Sequence, residues 1–160
     1  MGAAFLLAQL GAHAAGRYAE KVAQLELDPA QTGVLHLVAR EPGRSQQALA
    51  DRLGVAPSRV VGLIDGLEAR GLLERRRSAG DRRSYELHLT DAGQQLLGRL
   101  REVATAHEAE VTTALDADER RQLVELLRRV ADQQGLTPGV HPGYRRLSSS
   151  GPSRGDPEPS

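Results

Sequence analysis

Guanidinium chemistry is the most concentrated chemistry in this chain. Arg70, Arg75, Arg76, Arg77, Arg82 and Arg83 fall within 14 residues that contain only Glu74 and Asp81 as acids, a net +4 on a chain whose formal charge is zero. A guanidinium keeps its charge and presents a planar fork of donors, so such a cluster suits phosphate oxygens. A charge run alone is usually a solvated face, and its neighbours decide what it means. Other chemistries have little to stand on. The five histidines, His13, His36, His88, His107 and His141, are far apart in sequence and offer no His-x-x-x-His spacing for a metal. There is no glycine-rich phosphate loop and no Gly-x-Ser-x-Gly elbow. No catalytic set, metal site or cofactor is therefore expected, and the chain does not read as an enzyme. Cysteine is absent, which rules out disulfides, thiolate clusters and sensing by thiol oxidation.

The elements that must carry the arginines start at Ser45, a good N-cap for a helix closed by Gly54, with Leu49 and Leu53 on its buried face. Pro57 then opens a second helix to about Arg70, stopped by Gly71. Val60, Leu63, Ile64 and Leu67 form its inward stripe, while Ser58, Arg59, Gly62, Asp65, Gly66 and Ala69 leave the other face short or polar. Glycine weakens a helix interior by about 0.5–1 kcal/mol, so a bare face suggests close approach to something. One reading is that Gly62 and Gly66 only let helices pack closely. The other is entry into a DNA major groove about 12 Å wide, with Ser58 and Arg59 leading. Leu72 to Arg76 and Ser84 to Leu89 then read as two strands, the second alternating Tyr85, Leu87 and Leu89 with Ser84, Glu86 and His88. Ser-Ala-Gly-Asp makes the turn, and the arginines gather at its tip. A cationic hairpin beside a groove-shaped helix favours nucleic acid, with wing guanidinium entering the minor groove.

The run from Ser45 to Gly93 resembles the MarR family of winged helix-turn-helix regulators. Its wing signature of Asp, one residue, Arg and then, after five residues, Leu-Thr stands here as Asp81, Arg83, Leu89 and Thr90; the LTDAG at Leu89 to Gly93 and the helix VVGLIDGLEARGLLER are also similar. The likeness covers roughly Leu6 to Gly135. It implies a homodimer on a pseudo-palindromic double-stranded operator, often a repressor relieved by a small molecule. It also implies an Asp81–Arg83 salt bridge in the wing and a minor-groove arginine at the tip, either Arg82 or Arg77. Many relatives carry Thr and Arg where this chain has Val61 and Gly62, so base preference does not transfer. The expected DNA-contact set is Ser45, Gln46, Pro57, Ser58, Arg59, Gly62, Arg75, Arg77, Asp81, Arg82 and Arg83.

The rest of the chain supports this unit. Its 160 residues, 39% hydrophobic and 26% charged, suit one domain per protomer, and with 2% aromatics the core must be aliphatic. Residues 1–27 read as an N-terminal amphipathic dimerisation helix that includes Phe5, Leu6, Leu10 and His13. Arg17, Glu20 and Lys21 argue against a signal peptide, and no run reaches the ~20 apolar residues of a membrane span. The expected location is the cytoplasm. Asp28, Pro29 and Gln31 announce the first helix of a DNA-binding domain over 28–90. Thr90 caps a long helix with Leu96, Leu97, Leu100, Val103 and His107, and Asp116 with Glu119 caps another with Leu123, Val124, Leu126, Leu127 and Val130. Residues 91–135 should complete the dimerisation region, and 136–160, rich in Pro, Gly and Ser, should be a disordered tail. The fold class is mainly α with a small β-hairpin wing. Net charge is +2 over 41–90 and −3 over 91–134, which places the positive side on the wing unit.

His107 and His13 lie on apolar stripes, where a hydrogen-bonded interface histidine is the plain reading. His36, with Tyr18 and Arg40, falls in the layer where such relatives bind aromatic acids; an imidazole and a cation beside an apolar cleft would suit an anionic phenol as effector. The competing readings are packing and surface roles for these three, a winged-helix protein–protein module for which wing charge is dispensable, and a DNA-binding regulator with no ligand.

Overall fold

Capping chemistry sets the helix boundaries. The computed structural model describes residues 2–78 and 84–141. Over these the order is α1 (Ala3–Ala23), α2 (Pro29–Arg40), α3 (Gln46–Leu53), α4 (Pro57–Ala69), β1 (Leu73–Arg77), β2 (Tyr85–Leu89), α5 (Asp91–Val111) and α6 (Ala117–Gln133). The Asp28 carboxylate accepts from the Gln31 N–H at 2.7 Å while the Gln31 side chain accepts from the Asp28 N–H at 3.0 Å, a complete capping box. Asp116 and Glu119 repeat it at the start of α6. The Ser45 hydroxyl accepts from the Ala48 N–H, and Gly54, at φ +65°, closes α3 in the left-handed conformation. Pro57 opens α4 with Ala56 at the N-cap and no side-chain cap.

The core is aliphatic and lies where α2, α4, the hairpin and the first half of α5 meet. Val34, Leu35, Leu53, Val60, Ile64, Leu67, Leu73, Leu87 and Leu100 are essentially inaccessible to solvent. Each fully buried side chain of this kind contributes about 1.5–3 kcal/mol through removal from water.

The hairpin is antiparallel, with Leu73 opposite Leu89, Arg75 opposite Leu87 and Arg77 opposite Tyr85. Both strands start one residue later than their sequence suggests. Tyr85, expected on a half-buried face, is 45% exposed, because its pairing with Arg77 places it at the far end of the hairpin, beyond the core. The other edge of β2 is covered by main chain that the sequence did not announce. The Gly43 N–H donates to the Leu87 carbonyl at 3.0 Å, and the Leu87 N–H donates to the Arg44 carbonyl at 3.0 Å.

Two stitches tie the hairpin to the long helices. Thr90 donates its hydroxyl to the Gly71 carbonyl at 2.6 Å and its N–H to the Leu72 carbonyl at 3.3 Å, while its hydroxyl oxygen accepts from the Gly93 N–H. Gly93 lies flush against the same strand, so that a Cβ there would sit 2.0 Å from the Leu72 carbonyl oxygen. At the same, C-terminal end of α4, Arg70 donates to the Glu26 and Leu25 main-chain carbonyls in the turn between α1 and α2.

The outer helices leave apolar faces uncovered within one copy of the chain. Phe5, Leu6, Leu7 and Leu10 on α1 are exposed, as are Leu123, Leu126, Leu127 and Val130 on α6, and α6 buries no residue at all. Lys21 and Arg17 reach from α1 to Glu110 on α5 at 2.8 and 3.3 Å. The hydrogen bond from Lys21 and the two cationic charges hold the Glu110 carboxyl below its ordinary pKa. No helix among the described residues is long and apolar enough to cross a membrane.

Candidate nucleic-acid interface and adjoining cleft

Helix α4 has three edges, set by its 3.6-residue period. Val60, Ile64 and Leu67 are buried in the core. Ser58, Gly62, Asp65 and Ala69 form an open edge, and nothing lies within 4 Å of where a Cβ on Gly62 would be. Arg59, Leu63 and Gly66 form a third edge turned toward α2; a Cβ on Gly66 would touch the Gln31 side chain at 3.7 Å. Neither glycine is required by a close contact among the described residues. Gly66 faces α2 with room for a Cβ at ordinary contact distance, and Gly62 leaves open backbone on the exposed edge.

The structure divides the wing arginines by their partners. Arg75 donates through its guanidinium to Asp65 and Glu68 on α4 and to the Gln46 side chain on α3, and its N–H donates to Glu68 at 3.1 Å. Burial opposes the charge, but the hydrogen bonds and charges of Asp65 and Glu68 outweigh it and raise the Arg75 pKa above its ordinary value. Arg75 and Gln46, expected among the DNA contacts, are thus engaged in bracing the wing against the two helices, and only 19% of the Arg75 side chain is exposed. The strand period carried this signal: Arg75 shares the inner face with Leu73 and Leu87. Arg70 is committed to the turn after α1, and Arg76 pairs with Glu74 on the outer face. Arg77 remains exposed at the end of β1, beside the turn. Asp81, Arg82 and Arg83 lie outside the described residues, as does the salt bridge implied for the first and last of them.

Replacing Arg75 with methionine is expected to lower stability by about 1–2 kcal/mol, because two carboxylates lose the cation that holds them. Urea unfolding measures this, and adding Asp65→Asn and Glu68→Gln should recover part of the loss.

Beside α4 opens a cleft of about 820 Å³ between α1, α2, α4 and α5, with the segment after α6 at its edge. Tyr18, His36 and Arg40, the three expected effector residues, all line it. Two further residues that the sequence did not assign to the cleft, Arg59 and His107, line it as well. Tyr18 and His107 stack obliquely, with ring centroids 5.6 Å apart. His107 is expected to be a hydrogen-bonded interface histidine, and one atom of its ring is left open within a single copy of the chain. Its Nδ1 is buried and has no hydrogen-bond partner among the described residues.

Burial, and then the positive charges of Arg40 and Arg101, push the His36 pKa below the ordinary 6.5. The unfolded chain therefore binds a proton at this position more readily than the folded one, so the His36 contribution is intact above about pH 6.5 and is lost on acidification. Melting temperatures taken from about pH 7.5 down to 5 should fall more steeply for the wild type than for His36→Gln. Parallel curves would remove His36 from this role.

Comparisons with known proteins agree with this geometry. Residues 25–84 match the model of the MarR family. A relative from Thauera aromatica assigned as transcriptional regulatory protein for the hcr operon is 37% identical over 110 residues, 69% of this chain and 66% of the relative, so the chain spans about two thirds of that protein. The structure of the transcriptional repressor CouR bound to a 23-mer DNA duplex is 37% identical, covering 81% of this chain and 92% of that one at a TM-score of 0.71. A Mycobacterium tuberculosis MarR family protein in complex with salicylic acid is 26% identical, covering 81% of this chain and 96% of that one at a TM-score of 0.67. With its bare-edged α4, its cationic hairpin and these relatives over most of its length, the chain belongs to the MarR family of winged helix-turn-helix proteins.

Proposed function

We propose that this protein is a homodimeric transcriptional repressor that reads a pseudo-palindromic operator in double-stranded DNA and is released by a small aromatic acid bound in the cleft. The observation that carries the reading is the open edge of α4, with Ser58 and Gly62 unobstructed, next to an exposed Arg77 on the wing. In this reading Ser45, Pro57, Ser58, Arg59 and Gly62 face the major groove and its phosphates, and Arg77 with residues 81–83 reaches the minor groove. Residues 28–90 form the reading unit, while 1–27 and 91–135 hold two copies together through the apolar faces of α1 and α6. The protein acts in the cytoplasm, by binding and without catalysis.

The cleft supports the effector half of the proposal. It joins an apolar wall to cationic Arg40 and Arg59 and to the aromatic pair Tyr18 and His107, a setting for a ring bearing a carboxylate. An effector of this kind releases DNA only if it binds the DNA-free protein more tightly than the DNA-bound one, whatever the route.

Selection of bound duplexes from a random pool tests the DNA half. Recovery of an inverted repeat with half-sites about one helical turn apart is the expected result, since a two-fold protein presents its helices at that spacing. A pool with no enrichment over input would reject it.

A further inference from the structure

Arg59 occupies a position that neither DNA recognition nor effector binding alone explains. It is the third residue of α4, one residue from Ser58 on the open edge, yet it is half-buried and lines the cleft with Leu63, four residues further on. No hydrogen bond or ion pair of its side chain to another described residue is present in the structure, in contrast to Arg70, Arg75 and Arg76, which each have a carboxylate or carbonyl partner. A long, flexible cation at the boundary between two edges of one helix can turn either way. Toward the open edge it meets the nucleic acid, and toward α2 it meets whatever lies beside His36 and Arg40.

Resting on the reading of the cleft as an effector site, we propose that Arg59 is a shared guanidinium for which the DNA and the carboxylate of an aromatic effector compete directly. The open edge and the cleft lie on different sides of α4, so one side chain cannot reach the DNA and an anion in the cleft at once. An effector carboxylate drawn to Arg40 and Arg59 therefore removes a contact from the DNA face of the same helix, without any change in the spacing of the two reading units. Arg40 lies on α2, away from the open edge of α4, so it binds the effector without taking part in this competition. Uncharged analogues lack the group that recruits Arg59 and should not release DNA.

The test uses the full chain, salicylate as the probe, and a duplex recovered by the selection described above. Salicylate affinity is measured by calorimetry for the wild type, Arg59→Gln and Arg40→Gln, each first shown to melt like the wild type. The factor by which saturating salicylate weakens duplex binding is then measured for each. Arg59→Gln should weaken salicylate at least fivefold, weaken the duplex, and bring the release factor toward one. By reciprocity, saturating duplex should weaken salicylate binding to the wild type by the same factor that salicylate weakens the duplex. Salicylamide should leave duplex binding unchanged. If Arg59→Gln keeps wild-type salicylate affinity, or loses affinity but keeps the wild-type release factor, the shared guanidinium is wrong. The cleft reading then survives as long as Arg40→Gln weakens salicylate. If salicylate does not bind the wild type at all, the cleft reading and the shared guanidinium both fall.

Discussion

Replacing Gly93 with alanine is expected to lower folding stability by about 2–3 kcal/mol, the range of a severe overpacking change. The cause is specific. The added Cβ would lie 2.0 Å from the Leu72 carbonyl oxygen and 3.0 Å from its carbon, and main chain cannot swing aside as the tip of a side chain can. Relief requires α5 to lift away from β1. That movement would pull on the bond from the Gly93 N–H to the Thr90 hydroxyl and on the bond from Thr90 to Gly71. With a total stability of about 5–15 kcal/mol for a domain of this kind, the variant should remain folded at low temperature but unfold at a clearly lower urea midpoint. Gly98, also on α5, has open space around its Cβ position and serves as the control: Gly98→Ala should be neutral or mildly stabilising. Equal behaviour of the two variants would show that the close approach to Leu72 is not a constraint.

The second large effect concerns assembly. Leu126 and Leu127 are 48% and 39% exposed on a helix with no buried residue. Changing both to glutamate should leave the core of each protomer intact, because neither belongs to it, and should convert the protein to monomers in sedimentation. Two linked reading units gain a factor of about 10²–10⁴ over one through effective concentration, so duplex affinity should fall by a similar factor. The helical content and urea midpoint of the isolated protomer give the check on folding. A variant that stays dimeric, or a monomer that keeps its duplex affinity, would contradict the assembly drawn here.

What the sequence made legible and what it did not can be separated by distance along the chain. Helix limits at Asp28, Ser45, Gly54, Pro57, Gly71, Thr90 and Asp116 depend on partners within three or four positions, and all were readable as local chemistry. The stripe Val60, Leu63, Ile64 and Leu67 was readable for the same reason, through its period, except that Leu63 sits half-buried on the neighbouring edge that lines the cleft. Arg70 and Arg75 were not. Arg70 is held by Glu26, 44 positions away, and Arg75 by Asp65 and Glu68 on a different element and by Gln46, 29 positions away, so a count of arginines overstated the cation free for an external anion. The main-chain pairing of Gly43 and Arg44 with Leu87 was hidden likewise, since nothing in a Pro-Gly turn tells which strand will lie beside it. In the cleft, Tyr18, His36 and Arg40 were reached through the family resemblance, which puts an effector layer beside the second helix, and all three line it. Arg59 was assigned to DNA alone because the helix was divided into two faces, whereas the spacing of Arg59, Leu63 and Gly66 defines a third.

The anchoring of Arg70 to the carbonyls of Leu25 and Glu26 makes the C-terminal end of the reading helix a fulcrum, seated on the turn where the first helix hands over to the second. Pro57, Ser58 and Arg59 are at the opposite tip of a lever 13 residues long, which is about 20 Å. A swivel of about 5° at the fulcrum would sweep that tip through about 1.7 Å along the groove, enough to misalign a hydrogen bond. The residues proposed to meet the DNA are thus the ones most amplified by small rotations of the first helix, and the anchored end hardly moves.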